Sequence, residues 1–257
     1  MWDDMTLSKD VDTGMVLAAG LGTRMRPITD NMPKPLVRVA EKTLLDHALD
    51  ALALGGVKQA FVNVHYLADQ IEDHLRSRTA PAITISDERE ELLDSGGGVK
   101  KALANQNAGP LVILNGDSFW IDTDGSNIER MKSVWDPNRM DMLLLVAKMD
   151  QATGYDGPGD FFMDDQNRLS RRGDRSSAPY IYAGAIIADS AGVTAVSDTR
   201  FSLNKLFDAA IGQNRLYGCH LDGLWLHVGT PASIDEAEQA IERHAAQHGQ
   251  SSNVTGT

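Results

Sequence analysis

Apolar positions along this chain follow two rhythms. Through the first 150 residues, short apolar runs alternate with stretches whose apolar positions recur every three or four residues. The runs Met15 to Ala19, Ala60 to Val64, Ala82 to Ile85, Leu111 to Leu114 and Met142 to Val146 predict buried strands. Between them, Leu44, Leu45, Ala48, Leu49, Leu52 and Ala53 form one helical stripe that Gly55 and Gly56 stop. Leu67, Ile71 and Leu75 fall four apart on a second helix, and a third follows Gly98. Strand and helix in alternation predict an α/β fold, a three-layer sandwich around a mostly parallel central sheet.

After Asp150 the texture changes. Gln151 to Pro179 is rich in glycine, aspartate, arginine and serine, with Phe161, Phe162 and Leu169 as its apolar anchors, which predicts short strands and exposed turns. Tyr180 to Ala188 reads as a strand, Leu203 to Ile211 as a helix, Arg215 to His220 and Leu224 to Val228 as paired strands, and Ser233 to His244 as a terminal helix. One domain over residues 14–248 is expected, with a β-rich portion at 151–230, a terminal helix at 231–248, an N-terminal extension at 1–13 and a flexible tail at 249–257.

Composition narrows the classes. No apolar run approaches the roughly 20 residues of a membrane span. The formal net charge of −12 disfavours nucleic acid and anionic membranes as partners. The first residues, MWDDMTLSKDVD, lack a secretory signal, so a cytoplasmic location is expected. The single cysteine, Cys219, can build neither a disulfide framework nor a thiolate zinc site. A thiol nucleophile beside His220 is one reading of it, and a small buried apolar residue the favoured one.

Charge is unevenly spread. Between Gly20 and Ala40, Arg24, Arg26, Lys34 and Arg38 face the single acid Asp30 inside an acidic chain. Gly20 and Gly22 follow the first strand and let backbone N–H groups approach an anion, while the arginines offer planar, permanently charged forks. Lys34 lies between Pro33 and Pro35, which stiffen the segment presenting it. A dinucleotide fingerprint would need glycine at position 25, which is Met25, and the Gly-Lys-Ser/Thr of a P-loop is absent. Asp117 follows a buried strand, where a ligand residue and a plain turn residue are equally good readings.

The stretch LAAGLGTRMRPITDNMPKPLVRVA resembles the signature of the sugar-1-phosphate nucleotidyltransferases, and the resemblance continues through VNVHYLADQIEDHL, the triplet Gly96 to Gly98, LNGD at Leu114 to Asp117, and WLHVGTP at Trp225 to Pro231. It implies a Rossmann-like fold whose residues 14–150 mainly bind nucleotide and 151–230 mainly bind sugar. It also implies a nucleoside triphosphate and a sugar-1-phosphate as partners, and magnesium as cofactor with manganese or cobalt as substitutes. By resemblance Arg24 and Lys34 hold the reacting phosphates, and Asp117 joins them as a catalytic and metal-binding residue. Ala18, Ala19, Gly20, Leu21, Gly22 and Thr23 line the nucleoside, and Gly97 and Gly98 pass the base. The short length, the Asp94 to Gly98 loop and the Gly159-Asp160-Phe161 element look most like the branch that uridylylates N-acetylmuramate 1-phosphate in peptidoglycan recycling. The guanylyltransferases that make GDP-mannose are the alternative, and a non-catalytic nucleotide-sugar-binding regulator is the alternative of another class. A monomer or weak homo-oligomer is expected.

Two departures from the family stand out. His227 occupies the position where relatives carry a second metal-binding aspartate, and imidazole suits transition metals better than magnesium. The reading preferred is magnesium on Asp117, water and phosphate oxygens, with His227 as a phosphate contact or a metal ligand as the other outcomes. The Glu-Lys-Pro element that holds the sugar phosphate in many relatives is missing. Asn115, Asp160 and the Ala183-Gly184 backbone are the substitutes for sugar contacts, and Arg171 or Arg172 for the phosphate.

Overall fold

The strand Thr13–Leu17 lies at the heart of a nine-stranded sheet, and its side chains explain why. Met15 and Val16 point to opposite faces, and each is fully buried in a different apolar cluster. A strand with both faces covered belongs in the middle of a three-layer fold. The computed structural model describes residues 10–104, 106 and 109–249, without the side chains of 248 and 249.

Thr13–Leu17 pairs in parallel with Gln59–Val64 on one side and Pro110–Asn115 on the other, and Ala82–Asp87 continues the parallel set beyond Gln59–Val64. On the other side the sense reverses. Tyr180–Asp189 runs antiparallel to Pro110–Asn115 and to Met142–Lys148, and Leu216–His220 lies parallel to Met142–Lys148. The sheet is therefore mixed around a parallel core. The connection from Lys148 to Tyr180 holds no crossover helix, so the returning strand pairs antiparallel.

Helices Leu44–Leu54, Ala68–Leu75 and Asn127–Val134 cover one face, and Asp94–Ala102, Ser190–Thr194 and Asn204–Gly212 the other. The first starts where predicted because the Thr43 hydroxyl accepts from the Asp46 N–H at 3.0 Å, a standard N-cap. Asn127–Val134 and Ser190–Thr194 were not anticipated by the periodicity.

Three expectations change. The helix predicted to follow Gly98 begins at Asp94 and contains the glycine triplet, because the Phe201 ring and the Thr199 carbonyl occupy the space that side chains at Gly96 and Gly97 would need. Leu216–His220 and Gly223–His227 do not pair with each other. The first closes the main sheet beside Met142–Lys148, while the second joins Ser118–Asp122 and Ala152–Thr153 in a separate three-stranded sheet. The extension expected through residue 13 is shorter, since Val11 is buried and Thr13 opens the central strand. Its residues 1–9, and residues 250–257 of the expected tail, lie outside the described residues, and the terminal helix spans Ala232–Gly249.

Candidate active site

The chain leaves Thr13–Leu17 toward one side of the sheet, by way of Gln59–Val64, and later fills the other side with Pro110–Asn115. Such a switch point opens a crevice at the carboxyl ends of the two strands. Here Ala18 to Gly20 and Asn115 to Asp117 line a cleft of about 420 Å³, within the range of small-molecule sites. Gly116 is required for it: a Cβ would stand 2.5 Å from the Leu17 carbonyl oxygen, so the two strand ends touch through backbone.

The glycine-rich loop forms the next wall. Gly22 adopts φ +62°, a conformation that side chains disfavour, and the Lys34 Cβ lies 2.9 Å from where its own would be. The loop thus folds back on the Pro33 to Pro35 segment. Thr29 Oγ1 donates to the Gly22 carbonyl at 2.8 Å, and buried Met25 anchors the turn below. From outside, Tyr66 Oη donates to the Thr29 and Asp30 carbonyls at 2.9 and 3.0 Å, and Gln70 Nε2 to that of Asn31 at 3.1 Å.

This folding brings the charged candidates together. Lys34 Nζ donates to Asp117 Oδ2 at 3.2 Å, and burial holds the ammonium below the usual lysine range, Asp117 opposing the shift and Arg24 adding to it. Val228 N–H donates to the Asp117 carbonyl at 2.9 Å, tying the Trp225 to Pro231 segment to the same point. A Cβ on Gly229 would meet His227 Nε2 at 2.8 Å and Arg24 Nη1 at 3.4 Å, so imidazole and guanidinium flank one glycine. Burial lowers the His227 pKa; Asp117 opposes this, and Lys34 and Arg24 reinforce it. Among the described residues no three His, Cys, Asp or Glu side chains gather as a ready-made metal cage. Asp117, the cleft carboxylate that meets Lys34, fits a hard ion that keeps several waters and takes its remaining oxygens from substrate phosphates.

Of the residues expected at the nucleoside, Ala18, Ala19, Gly20, Gly22 and Thr23 line the cleft, as do Arg24, Lys34, Asn115 and Asp117. Leu21 is exposed and stands off the wall. Gly97 and Gly98 stand behind it inside their helix, and Asp94 and Ser95 present themselves instead.

The acceptor-side candidates fare differently. Asp160 Oδ2 accepts from the Tyr182 N–H at 2.9 Å, away from the cleft. Gly184 lies behind the cleft floor against Ser118 and Asn115, and it is not a wall residue. Arg171 donates to Asp208 at 2.9 Å and lies over the Phe161 and Phe207 rings, while Arg172 donates to the carbonyls of Gly159, Gly173 and Arg175. Arg171 staples its strand to the helix Asn204–Gly212, Arg172 staples its own loop, and neither is a free phosphate ligand. Cys219 is buried, and burial pushes its thiol up to about 11, which suits a core residue and not a nucleophile.

Three wall residues escaped the sequence reading. Asn63 is the one polar residue in the run Ala60 to Val64, and that lone buried amide was the available signal. Glu88, fully buried, was hidden in an acidic run. Arg200 follows Thr199, whose carbonyl packs on Gly97, and among the described residues no carboxylate forms an ion pair with its side chain at the cleft.

Residues 13–155 match the model of the family described as nucleotidyl transferase. The chain is 41% identical over 239 residues to the N-acetylmuramate alpha-1-phosphate uridylyltransferase of Caulobacter vibrioides, covering 91% of this chain and 99% of that protein. It is 33% identical to the protein of the same description from Neisseria meningitidis, covering 87% and 96%. The fold superposes with a TM-score of 0.74, at 16% identity, on a putative glucose-1-phosphate thymidylyltransferase from Bacillus anthracis, covering 89% of this chain and 94% of that one. A cleft built on the glycine-rich loop, matched across more than half the chain by the family model and nearly end to end by these relatives, places the chain in the nucleotidyl transferase family.

Proposed function

We propose that the chain transfers UMP from UTP to the phosphate of N-acetylmuramate 1-phosphate and releases pyrophosphate, a step that serves peptidoglycan recycling. The observation that carries this reading is the near end-to-end match to two uridylyltransferases of that specificity, together with the cleft where Arg24, Lys34 and Asp117 meet. An oxygen of the acceptor phosphate attacks the α-phosphorus, the bond to the β-phosphate oxygen breaks, and the new P–O–P linkage joins nucleoside and sugar. The protein's task is to seat two anions against each other and neutralise the charge that builds between them.

Arg24 holds the departing pyrophosphate and Lys34 the reacting α-phosphate. Its partner Asp117 would hold magnesium with water and phosphate oxygens, and the ion, when bound, supplies further neutralisation of the phosphate charge. His227 stands beside these groups, flanking Gly229 with Arg24, and not as a second metal ligand. Arg200 takes the acceptor phosphate in place of the missing lysine element. Residues 14–150 serve mainly the nucleotide, 151–230 mainly the sugar, and the helix Ala232–Gly249 braces the strand that carries His227. Among the described residues no helix is long and apolar enough to cross a membrane. The reading is of a cytoplasmic monomer or weak homo-oligomer with no nucleic-acid or membrane partner.

A pyrophosphate-release screen of four nucleoside triphosphates against several sugar-1-phosphates, with magnesium, tests it. UTP with N-acetylmuramate 1-phosphate should give the fastest release, and only when both are present. GTP with mannose-1-phosphate outpacing every UTP pair would overturn the assignment, and no release from any pair would leave a binding protein in its place.

A further inference from the structure

Two buried polar side chains span the back of the cleft in a continuous chain of hydrogen bonds. The Ala18 N–H donates to Asn63 Oδ1 at 2.7 Å, Asn63 Nδ2 donates to Glu88 Oε1 at 2.7 Å, and the Leu93 N–H donates to Glu88 Oε2 at 3.1 Å. Asn63 is 3% exposed and Glu88 not at all, and no cation forms an ion pair with Glu88 among the described residues. A carboxylate buried with only neutral donors is costly, so each hydrogen bond it accepts matters. What it joins is the start of the nucleotide loop, at Ala18, and the start of the opposite wall, where Asp94 opens its helix at the unfavourable φ of +64°. The third glycine of the triplet belongs to the same device: a Cβ on Gly98 would stand 2.7 Å from Glu88 Oε1 and 2.8 Å from Asn63 Nδ2, inside the bond between them.

We propose that the Asn63–Glu88 bridge is a positioning element that sets the spacing of the two walls between which the nucleotide is held. It rests on the uridylyl-transfer reading for the identity of the ligand. The direction of each bond is fixed, because the carboxylate accepts from both neighbours and so forces the Asn63 amide to turn its oxygen to Ala18.

That directionality supplies the test. Glu88→Gln places two donors face to face somewhere along the chain, and Asn63→Asp places two carboxylates face to face. The double variant Asn63→Asp/Glu88→Gln reverses the central bond and satisfies every group again. UTP binding, measured by calorimetry without sugar phosphate, should weaken at least about tenfold in each single variant, the scale of one unmet buried group, and return to within about threefold of wild type in the double variant. Thermal melts run alongside. Single variants that lose melting temperature yet bind UTP as wild type does would overturn the proposal, as would a folded double variant that binds no better than the worse single one. If a single variant fails to fold, the double variant decides alone. GTP is titrated in parallel, so a wild-type preference for GTP would overturn the uridylyl reading while the ranking of variants still decides the bridge.

Discussion

The two stretches expected to hold the two substrates are built on opposite plans. In the stretch expected to hold the nucleotide, Ala18 to Pro35 supplies a loop and its charges contiguously, with Tyr66 and Gln70 bracing it from outside, and Lys34 and Arg24 reach the cleft from it. In the stretch expected to hold the acceptor, the conspicuous polar residues are consumed by their own scaffold: Asp160 ties down Tyr182, Arg171 ties down Asp208, and Arg172 ties down three carbonyls. The difference teaches that a charge in a loop is a ligand candidate only when the loop leaves it unspent.

The comparison can be broken by substitution. Arg24→Ala and Lys34→Ala should each slow turnover at least about 100-fold with little change in melting temperature, as expected for preorganised electrostatic contacts. Near-normal rates in both would end the assignment. Arg200→Ala should raise the KM for the sugar phosphate about tenfold, the loss of one charge-assisted contact, and leave the KM for UTP alone. Arg171→Ala tests the converse side and should lower the melting temperature without moving that KM. A rise in the KM equal to that of Arg200→Ala would show that Arg171 is a ligand after all.

Smaller effects sharpen the same contrast. Asp160→Ala should cost about 1 kcal/mol of stability through the lost bond to Tyr182, read from urea unfolding, with kcat and both KM values close to wild type. Cys219 should resist alkylation at pH 8 in the folded protein, and its rate should climb as pH rises toward about 11, because burial disfavours the thiolate. Fast modification at neutral pH would contradict a core role.

How much of this was legible in the sequence follows from the same contrast. The parallel core could be read because buried strands and amphipathic helices carry their periods locally, and the glycine-rich loop because its function is written in consecutive residues. The reversal at Tyr180–Asp189 was not, since strand direction depends on what the Lys148 to Tyr180 connection does in space. Gly97 and Gly98 were expected to pass the base, and the sequence does not reveal that side chains there would also meet Thr199, Glu88 and Asn63. Arg200 and Glu88 were invisible for the opposite reason: each looks like ordinary surface charge until the fold sets one on a cleft wall and the other beneath it.

Nucleotidyl transfer itself is tested most directly by the fate of the α-phosphorus. With UTP labelled at that atom, N-acetylmuramate 1-phosphate and magnesium, the label should appear in a uridine diphosphate sugar, in equal amount to the pyrophosphate released. Label recovered only as UMP, or left in UTP while the acceptor is unchanged, would contradict the account.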